Sequence, residues 1–165
     1  MEKKILSRKK VDNLIISYSD EFGGAAKAAF RINECLKKSS IESKMLVLKK
    51  LSKSPQVFLY RNKKSLFFFK IKNKILILFK KFFNSKLDRS FNIFNSPLLH
   101  TINELEPKVV NLNWVGAETL SVKDISKIKN SKLIFTMHDM WAFCGTENYV
   151  FNRKNYNFIK GYEYS

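Results

Sequence analysis

The sequence predicts an α/β domain built on a parallel β-sheet. A strand, a glycine turn, a helix and a second strand follow one another near the N-terminus, and further apolar runs alternate with helical segments downstream. A crossover through a helix places the two strands that it connects parallel to each other. The 165 residues, 45% of them hydrophobic, suffice for one domain with a core but not for a second full domain.

The first unit spans residues 14–48. Residues 14–18 (LIISY) form a short apolar run that predicts a buried strand. The run breaks at a turn that contains Gly23 and Gly24, and residues 25–38 then carry apolar side chains at helical spacing. Residues 44–48 (KMLVL) predict the second strand. The unit is therefore a βαβ crossover.

The second half of the chain repeats the alternation. We expect a helix from Ser96 to about Leu105, ended by Pro107, and then a strand over residues 109–114. Ser121 and Asp124 have the spacing of a helix N-cap and its partner, which predicts a short helix over residues 121–128. Residues 132–137 predict another buried strand, and no clear element is predicted after residue 152.

A basic, amphipathic insert is predicted at residues 61–87. The stretch from Ser43 to Leu87 contains no acidic residue, and its longest apolar run, residues 75–79, is far shorter than the roughly 20 residues of a membrane span. The insert is predicted to be an amphipathic helix. Such a helix either lies on an anionic membrane surface or packs its apolar face on the domain and leaves its lysines in solvent. For the membrane alternative, the contact residues are Phe67, Phe68, Lys70, Ile71, Lys74, Ile75, Phe79 and Phe82.

The net charge of the chain, +17, indicates which classes of partner it attracts. A strongly basic protein attracts polyanions, which include nucleic acid, anionic lipid headgroups and phosphorylated substrates. No nucleic-acid-binding motif is present, so membrane and phosphate remain the favoured partners. Cys35 and Cys144 lie far apart, and no secretory signal precedes the domain. Neither a disulfide nor a zinc site is expected, and a cytoplasmic location fits best, with or without peripheral association with the membrane.

Two features are candidates for ligand binding. Gly23 and Gly24 lie between a strand and a helix. Glycine at this position lets the backbone approach a ligand closely, and the free N–H groups of the first helical turn attract phosphate. The alternative is a tight turn with close packing of the helix on the sheet. His138 and Asp139 follow the predicted strand 132–137, at the end of a parallel sheet where ligands bind. His138 would bind a sugar hydroxyl or transfer a proton, with Asp139 orienting it or accepting a hydrogen bond itself.

Other interpretations of this region stay open. His138 could instead cap a helix or pack against Trp141, and the aromatic residues 140–143 could form either a wall for a sugar ring or part of the core. Cys144 has no base pattern near it and is expected to be a buried thiol. Glu147 is a candidate carboxylate near the site, and the alternative is an exposed loop residue without a role in the site.

Four segments together resemble the N-terminal part of bacterial family-4 glycosyltransferases of the exopolysaccharide and O-antigen type. They are residues 21–31 (EFGGAAKAAFR), 43–47 (SKMLV), 109–115 (VVNLNWV) and 136–145 (TMHDMWAFCG). The last segment is the most specific, and it is similar to a "TLHDMWAFCG" motif of that family. Asn113 stands where the family has a histidine, and so does Asn148.

The resemblance implies the acceptor-side half of a GT-B fold, which consists of two Rossmann-like domains facing across a cleft. It implies retaining, metal-free transfer from a nucleotide sugar, the donor substrate, to a glycan or lipid-linked acceptor in polysaccharide biosynthesis, with no cofactor. Gly23 and Gly24 would lie beside the donor phosphates and His138 beside the donor sugar. Further sugar or acceptor contacts would be Asn113, Trp114, Trp141 and Glu147.

The same resemblance implies that the C-terminal donor domain is absent from this chain. We expect the sheet to be incomplete and the chain alone to be inactive, with a separate C-terminal half as a potential partner. The alternative function is a non-catalytic basic protein that binds membrane or nucleic acid.

Overall fold

A computed structural model describes residues 11–60, 67, 71–72, 74–78, 90–144 and 148–149. It contains a five-stranded, all-parallel sheet in the order β3-β2-β1-β4-β5. The strands are β1 (Asn13–Ser19), β2 (Ser43–Lys49), β3 (Val57–Leu59), β4 (Val109–Leu112) and β5 (Lys132–Phe135). The predicted α/β class and parallel sheet are therefore confirmed. The short strand β3 was not predicted.

Three of the helices between these strands have both ends within the described residues. They are α1 (Gly23–Lys38), α2 (Leu98–Leu105) and α3 (Val122–Ile125). Helix α1 begins two residues earlier than predicted, at the glycine pair itself, and α3 is shorter than predicted. The side chain of Ser121 accepts from the backbone N–H of Asp124, and the Asp124 carboxylate accepts from the backbone of Ser121, which is the predicted capping arrangement. Helix α2 ends at Leu105, and the next residue, Glu106, adopts the left-handed conformation directly before Pro107.

The core has one layer on each face of the sheet because side chains alternate along each strand. On one face, Leu14 and Ile16 of β1 pack with α2 in a cluster of fully buried residues. On the other face, Ile15 packs with Met45 and with Ala29 of α1. Ser17 follows Ile15 by two residues, so its side chain faces the same side as α1.

The strand order reverses beside β1. From β1 the chain moves outward through β2 and β3, then crosses back to place β4 on the other side of β1. In open parallel sheets this reversal leaves a crevice at the carboxyl ends of the two central strands, and ligands bind there. Here those ends are Ser19 of β1 and Leu112 of β4. The chain that follows β4 stays beside β1, because Tyr18 N–H donates to the carbonyl of Trp114 at 3.0 Å.

The prediction of a buried strand over residues 132–137 was wrong in part. Strand β5 forms where expected but ends at Phe135, and all its residues are exposed, Leu133 by 47% and Ile134 by 49%. Strands of a parallel sheet become buried when helices cover both faces. In the described part of the chain β5 pairs with β4 alone, whereas α1 packs on β1 and β2. An apolar run thus predicted a strand correctly but did not predict its covering.

The structure describes only part of the predicted basic insert. Residues 67, 71–72 and 74–78 are helical, and Leu76 is buried whereas Phe67, Ile71, Ile75 and Leu78 are exposed. Of the predicted membrane contacts, Phe68, Lys70, Phe79 and Phe82 lie outside the described residues. No helix within the described ranges has the length and apolar character required to cross a membrane.

Candidate functional site

A cavity of about 460 Å³ opens at the carboxyl ends of β1 and β4, beside the start of α1. The predicted glycine turn and the predicted histidine, which lie more than 100 positions apart in the sequence, both line it. Its lining residues are Ser17, Ser19, Phe22, Gly23, Gly24, Ala25, Ala26, Trp114, His138, Asn148 and Tyr149. The crevice expected from the strand order is therefore present, and it is bordered by polar, aromatic and small residues.

The two glycines of the turn have different local requirements. Gly23 has a φ of +86°, a backbone conformation that residues with a side chain rarely adopt. The turn itself therefore requires glycine there. Gly24 has no such φ, and a Cβ atom built on it would meet no atom within 4 Å. Close packing of helix on sheet therefore does not explain Gly24. Gly24 is one of the residues that line the cavity.

The N-terminus of α1 faces this space without a side-chain cap. Phe22 occupies the N-cap position, makes no capping hydrogen bond, and is followed by no acidic residue in the first turn. The hydroxyl of Ser19 accepts instead from the N–H groups of Glu21 and Phe22, just before the helix. The first N–H groups of a helix and its dipole attract negative charge. This end of the cavity thus suits an anion.

His138 belongs to a chain of hydrogen bonds behind the cavity. Its Nε2 lies 2.9 Å from Oδ1 of Asn113, whose Nδ2 donates to Oδ1 of Asn111 at 3.2 Å. The hydroxyl of Thr136 also donates to Oδ1 of Asn111, at 2.9 Å. Asn113 is buried and contacts the imidazole from behind instead of lining the cavity. Asn113 thus contacts the ring directly, and Asn111 of β4 holds the Asn113 side chain.

Asp139 holds two tryptophans in place. Its Oδ2 accepts from Nε1 of Trp114 at 2.8 Å, and its Oδ1 accepts from the backbone N–H of Trp141 at 3.1 Å. Both carboxylate oxygens are therefore engaged. The Trp114 ring, which lines the cavity, also makes an edge-to-face contact with Tyr18 at 5.7 Å. In this structure Asp139 orients the cavity wall and makes no hydrogen bond to His138 among the described residues.

The pKa of His138 is lowered below the ordinary value of 6.5. The main cause is burial, which disfavours the charged imidazolium, and the negative charge of Asp139 opposes it in part. The ring is accordingly neutral near pH 7, with one nitrogen as donor and the other as acceptor.

Two buried polar atoms at the cavity have no partner among the described residues. They are Oγ of Ser17 and Oδ1 of Asn148, on side chains that are each 1% exposed. The Nδ2 of Asn148 donates to the hydroxyl of Ser90 at 3.2 Å. A buried polar group without a partner costs on the order of 1–3 kcal/mol, and both of these atoms belong to residues that line the cavity.

A second set of contacts joins the loops that pack against Trp114, a residue of the cavity lining. The carboxylate of Glu118 accepts from the backbone N–H groups of Asn92 and Phe94, and the Asn92 side chain in return accepts from Glu118 N–H. Between these loops, a Cβ atom on Gly116 would come within 2.7 Å of the Trp114 ring and 2.9 Å of the Ser90 hydroxyl. The loops therefore pack tightly under Trp114, and glycine is required there.

The remaining predicted residues lie elsewhere. Trp141 is in the core, where it donates to the carbonyl of Ser90 at 2.8 Å and stacks on Phe135, and it does not line the cavity. Cys144 is buried, as predicted. Glu147 lies outside the described residues. Within the described ranges, no group of three or more His, Cys, Asp or Glu side chains is arranged to hold a metal ion.

Sequence reasoning did not identify Ser17, Phe22, Tyr149 or Gly116. Only the alternation of side chains along β1 could have indicated Ser17, a polar residue at an inward position of an apolar strand.

Comparisons with protein-family models, with curated proteins and with solved structures find no match for this chain. The chemistry of the cavity is therefore inferred from its own residues.

Proposed function

We propose that this chain supplies the acceptor-side half of a retaining glycosyltransferase site, which transfers a sugar from a nucleotide-sugar donor to a glycan or lipid-linked acceptor. The observation that carries the proposal is the convergence of Gly24 and His138 on one cavity at the reversal of the strand order. The resemblance of four segments to family-4 glycosyltransferases supports the same reaction.

The two ends of the cavity differ in the ligand chemistry that they favour. Uncapped N–H groups at the start of α1 favour a phosphate, whereas the imidazole of His138 favours hydroxyl groups. Trp114 adds an aromatic surface beside them. A sugar joined to a phosphate combines both requirements in one molecule. We assign the phosphate to Gly23 and Gly24 and the sugar to His138.

Ligand binding by the full-length chain tests this proposal. We expect uridine- or guanosine-diphosphate hexoses to perturb the amide NMR signals of Gly23, Gly24 and His138 saturably. A Gly24→Val side chain would occupy the cavity and should weaken binding about tenfold, or by about 1.4 kcal/mol. Lys123→Ala, at an exposed position of helix α3, serves as the control. Absence of saturable binding, or equal binding by Gly24→Val, would refute the assignment.

A membrane surface is the second proposed partner. The helical residues Phe67, Ile75 and Leu78 expose 61%, 43% and 66% of their side chains, and the chain carries a net charge of +17. Apolar side chains among lysines suit the boundary between headgroups and acyl chains of an anionic membrane. A protein that only binds membrane would share this property, and it would lack the nucleotide-sugar binding described above.

Co-sedimentation with vesicles tests the membrane contact. We expect the chain to bind vesicles that contain phosphatidylserine more strongly than neutral phosphatidylcholine vesicles, and Ile75→Asn with Leu78→Gln to reduce this binding. The matched control is Leu133→Gln with Ile134→Asn, which removes exposed apolar surface from β5 instead. Equal loss in both double variants would mean that the helix has no special role. Competition by duplex DNA would favour nucleic acid as the partner.

A further inference from the structure

The hydrogen-bond chain behind the cavity determines which nitrogen of His138 carries the proton. The Nδ2 group of Asn113 lies 3.2 Å from Oδ1 of Asn111 and 3.5 Å from the backbone carbonyl of Asn111. A backbone carbonyl only accepts hydrogen bonds, so the amide NH₂ of Asn113 must face Asn111. Its Oδ1 therefore faces His138.

An amide oxygen only accepts, so Nε2 of His138 must be the donor across the 2.9 Å separation. In a neutral imidazole the other nitrogen then has a lone pair and no proton. No described residue donates to Nδ1, and the ring lines the cavity. The lowered pKa of His138, caused mainly by burial, agrees with a neutral ring.

We infer that Asn113 is a positioning residue that holds the His138 proton on Nε2, so that Nδ1 acts as a hydrogen-bond acceptor for a hydroxyl donor of the bound ligand. This inference rests on the proposed function for the identity of that ligand, a sugar linked to phosphate. The Asn113 side chain reaches the ligand only through His138.

Two further polar atoms lie on residues that line the cavity. Oδ1 of Asn148 is an acceptor, and the Ser17 hydroxyl both donates and accepts. The Nδ1 acceptor of His138 requires a ligand with a hydroxyl donor, which a sugar ring provides. The start of α1 offers the opposite polarity, with N–H donors for the phosphate. These two groups match the phosphate and the hydroxyls of a sugar phosphate.

The protonation of the ring is measured directly by ¹⁵N NMR of histidine-labelled, full-length chain. His100 is the only other histidine and lies exposed on α2 beside Glu104, so a His100→Gln background leaves one imidazole. We expect a protonated, pyrrole-type signal for Nε2 and an unprotonated, pyridine-type signal for Nδ1. The reverse assignment would overturn the inference, whatever the ligand.

Three variants separate positioning from mere structural support. Asn113→Asp keeps an acceptor oxygen and should retain the Nε2–H form with a raised His138 pKa. Asn113→Leu removes the acceptor and should produce a mixture of both tautomers. Asn103→Ala removes an asparagine whose side chain bonds the exposed turn at Lys127 and Lys129, and it should change neither signal. Unchanged tautomers in a folded Asn113→Leu variant would contradict the positioning role.

Binding then tests the ligand class. Glucose 1-phosphate should bind more tightly than methyl phosphate, and Asn113→Leu should reduce this preference severalfold without changing the affinity for methyl phosphate. Equal binding of both compounds by the wild type would overturn the acceptor end of the cavity. If neither compound binds although Nε2 is protonated, the proposed function and the ligand assignment fail, and the role of Asn113 in the tautomer stands alone.

Discussion

The indole of Trp114 and the carboxylate of Asp139 are joined by a hydrogen bond of 2.8 Å that connects the end of β4 to the turn after β5. The second carboxylate oxygen accepts from Trp141 N–H, so one side chain fixes the cavity wall and the start of the following turn. The histidine that lines the cavity precedes Asp139 directly, and its position depends on the same turn.

Removal of this carboxylate should therefore loosen the wall. We expect Asp139→Ala to lower the free energy of unfolding by about 1–3 kcal/mol, because two donors lose a charged partner. Asp139→Asn keeps one acceptor oxygen and should lose less. Chemical denaturation measures the stability, and near-UV circular dichroism reports the Trp114 environment. An Asp139→Ala variant as stable as Asp139→Asn would show that these hydrogen bonds contribute little.

Two glycines near the cavity should respond oppositely to alanine. A Cβ atom on Gly116 would clash with the Trp114 ring, whereas one on Gly24 would meet nothing within 4 Å. Gly116→Ala should cost about 1–3 kcal/mol of stability and displace Trp114, while Gly24→Ala should leave stability unchanged or raise it slightly, since alanine favours helix. Thermal unfolding of the two variants side by side is the measurement. Equal effects would mean that the loops under Trp114 adjust freely.

Local pattern predicted the elements but not their surroundings. The apolar runs in β1, β2 and β4 predicted strands because buried parallel strands are apolar on both faces. The run Leu133–Phe135 has the same composition, yet the strand is exposed, since covering depends on helices packed from elsewhere. Strand β3 escaped prediction because Val57–Leu59 is too short to give a periodic signal.

The candidate site could be predicted only where a local motif marks it. The glycine turn and the histidine after a strand each have a sequence pattern, and the parallel order of strands brings both to one edge. The importance of Gly116 arises from a contact with Ser90, and the importance of Asn113 arises from a contact with His138 across two strands. Such contacts between distant residues leave no periodic signal in a single sequence.

The exposed strand β5 should promote self-association. An apolar strand at the edge of a sheet offers unpaired backbone groups to another chain. Ile134→Lys should raise the concentration at which the full-length chain scatters light, without lowering its stability, because Ile134 is 49% exposed. Val122→Lys, at a 69% exposed position on α3, is the control. If the control improves solubility as much, net charge and not the sheet edge governs association.

Asp20 should make the fold sensitive to strong acid. Its buried carboxylate accepts from the N–H groups of Leu51 and Ser52 at 2.8 and 2.9 Å, which ties the turn before α1 to the segment after β2. Burial by itself would raise the pKa of Asp20, but hydrogen bonds from the Ser52 side chain and from the backbone of Leu51 and Ser52 outweigh it and lower the pKa below 3.8.

A lowered pKa means that the stabilisation is present above 3.8 and is lost as pH falls through the folded-state value. We expect Asp20→Asn to be less stable at neutral pH by about 1–3 kcal/mol and to lose less further stability in acid than the wild type. Glu104→Gln, which removes an exposed partner of His100, serves as the control. Parallel acid-unfolding curves for wild type and Asp20→Asn would contradict the assignment.

His138 should make the free energy of unfolding depend on pH in the range near and below 6.5. Because burial lowers its pKa below 6.5 in the folded state, the unfolded chain binds more protons than the folded chain at pH values just below 6.5. The free energy of unfolding therefore falls as pH decreases through 6.5 and levels off below the folded-state pKa. His138→Gln keeps a donor for Asn113 but cannot titrate, so its stability should decline less over this interval.

The comparison isolates His138 because His100 and all carboxylates are the same in both proteins. Thermal unfolding midpoints measured on either side of pH 6.5 provide the test, and the difference between the two proteins should widen as the pH falls. The charge of Asp139 opposes the effect of burial. If the wild type instead gains stability relative to His138→Gln on acidification, the attraction to Asp139 outweighs burial, the ring is protonated in the folded protein, and Nδ1 does not act as an acceptor there.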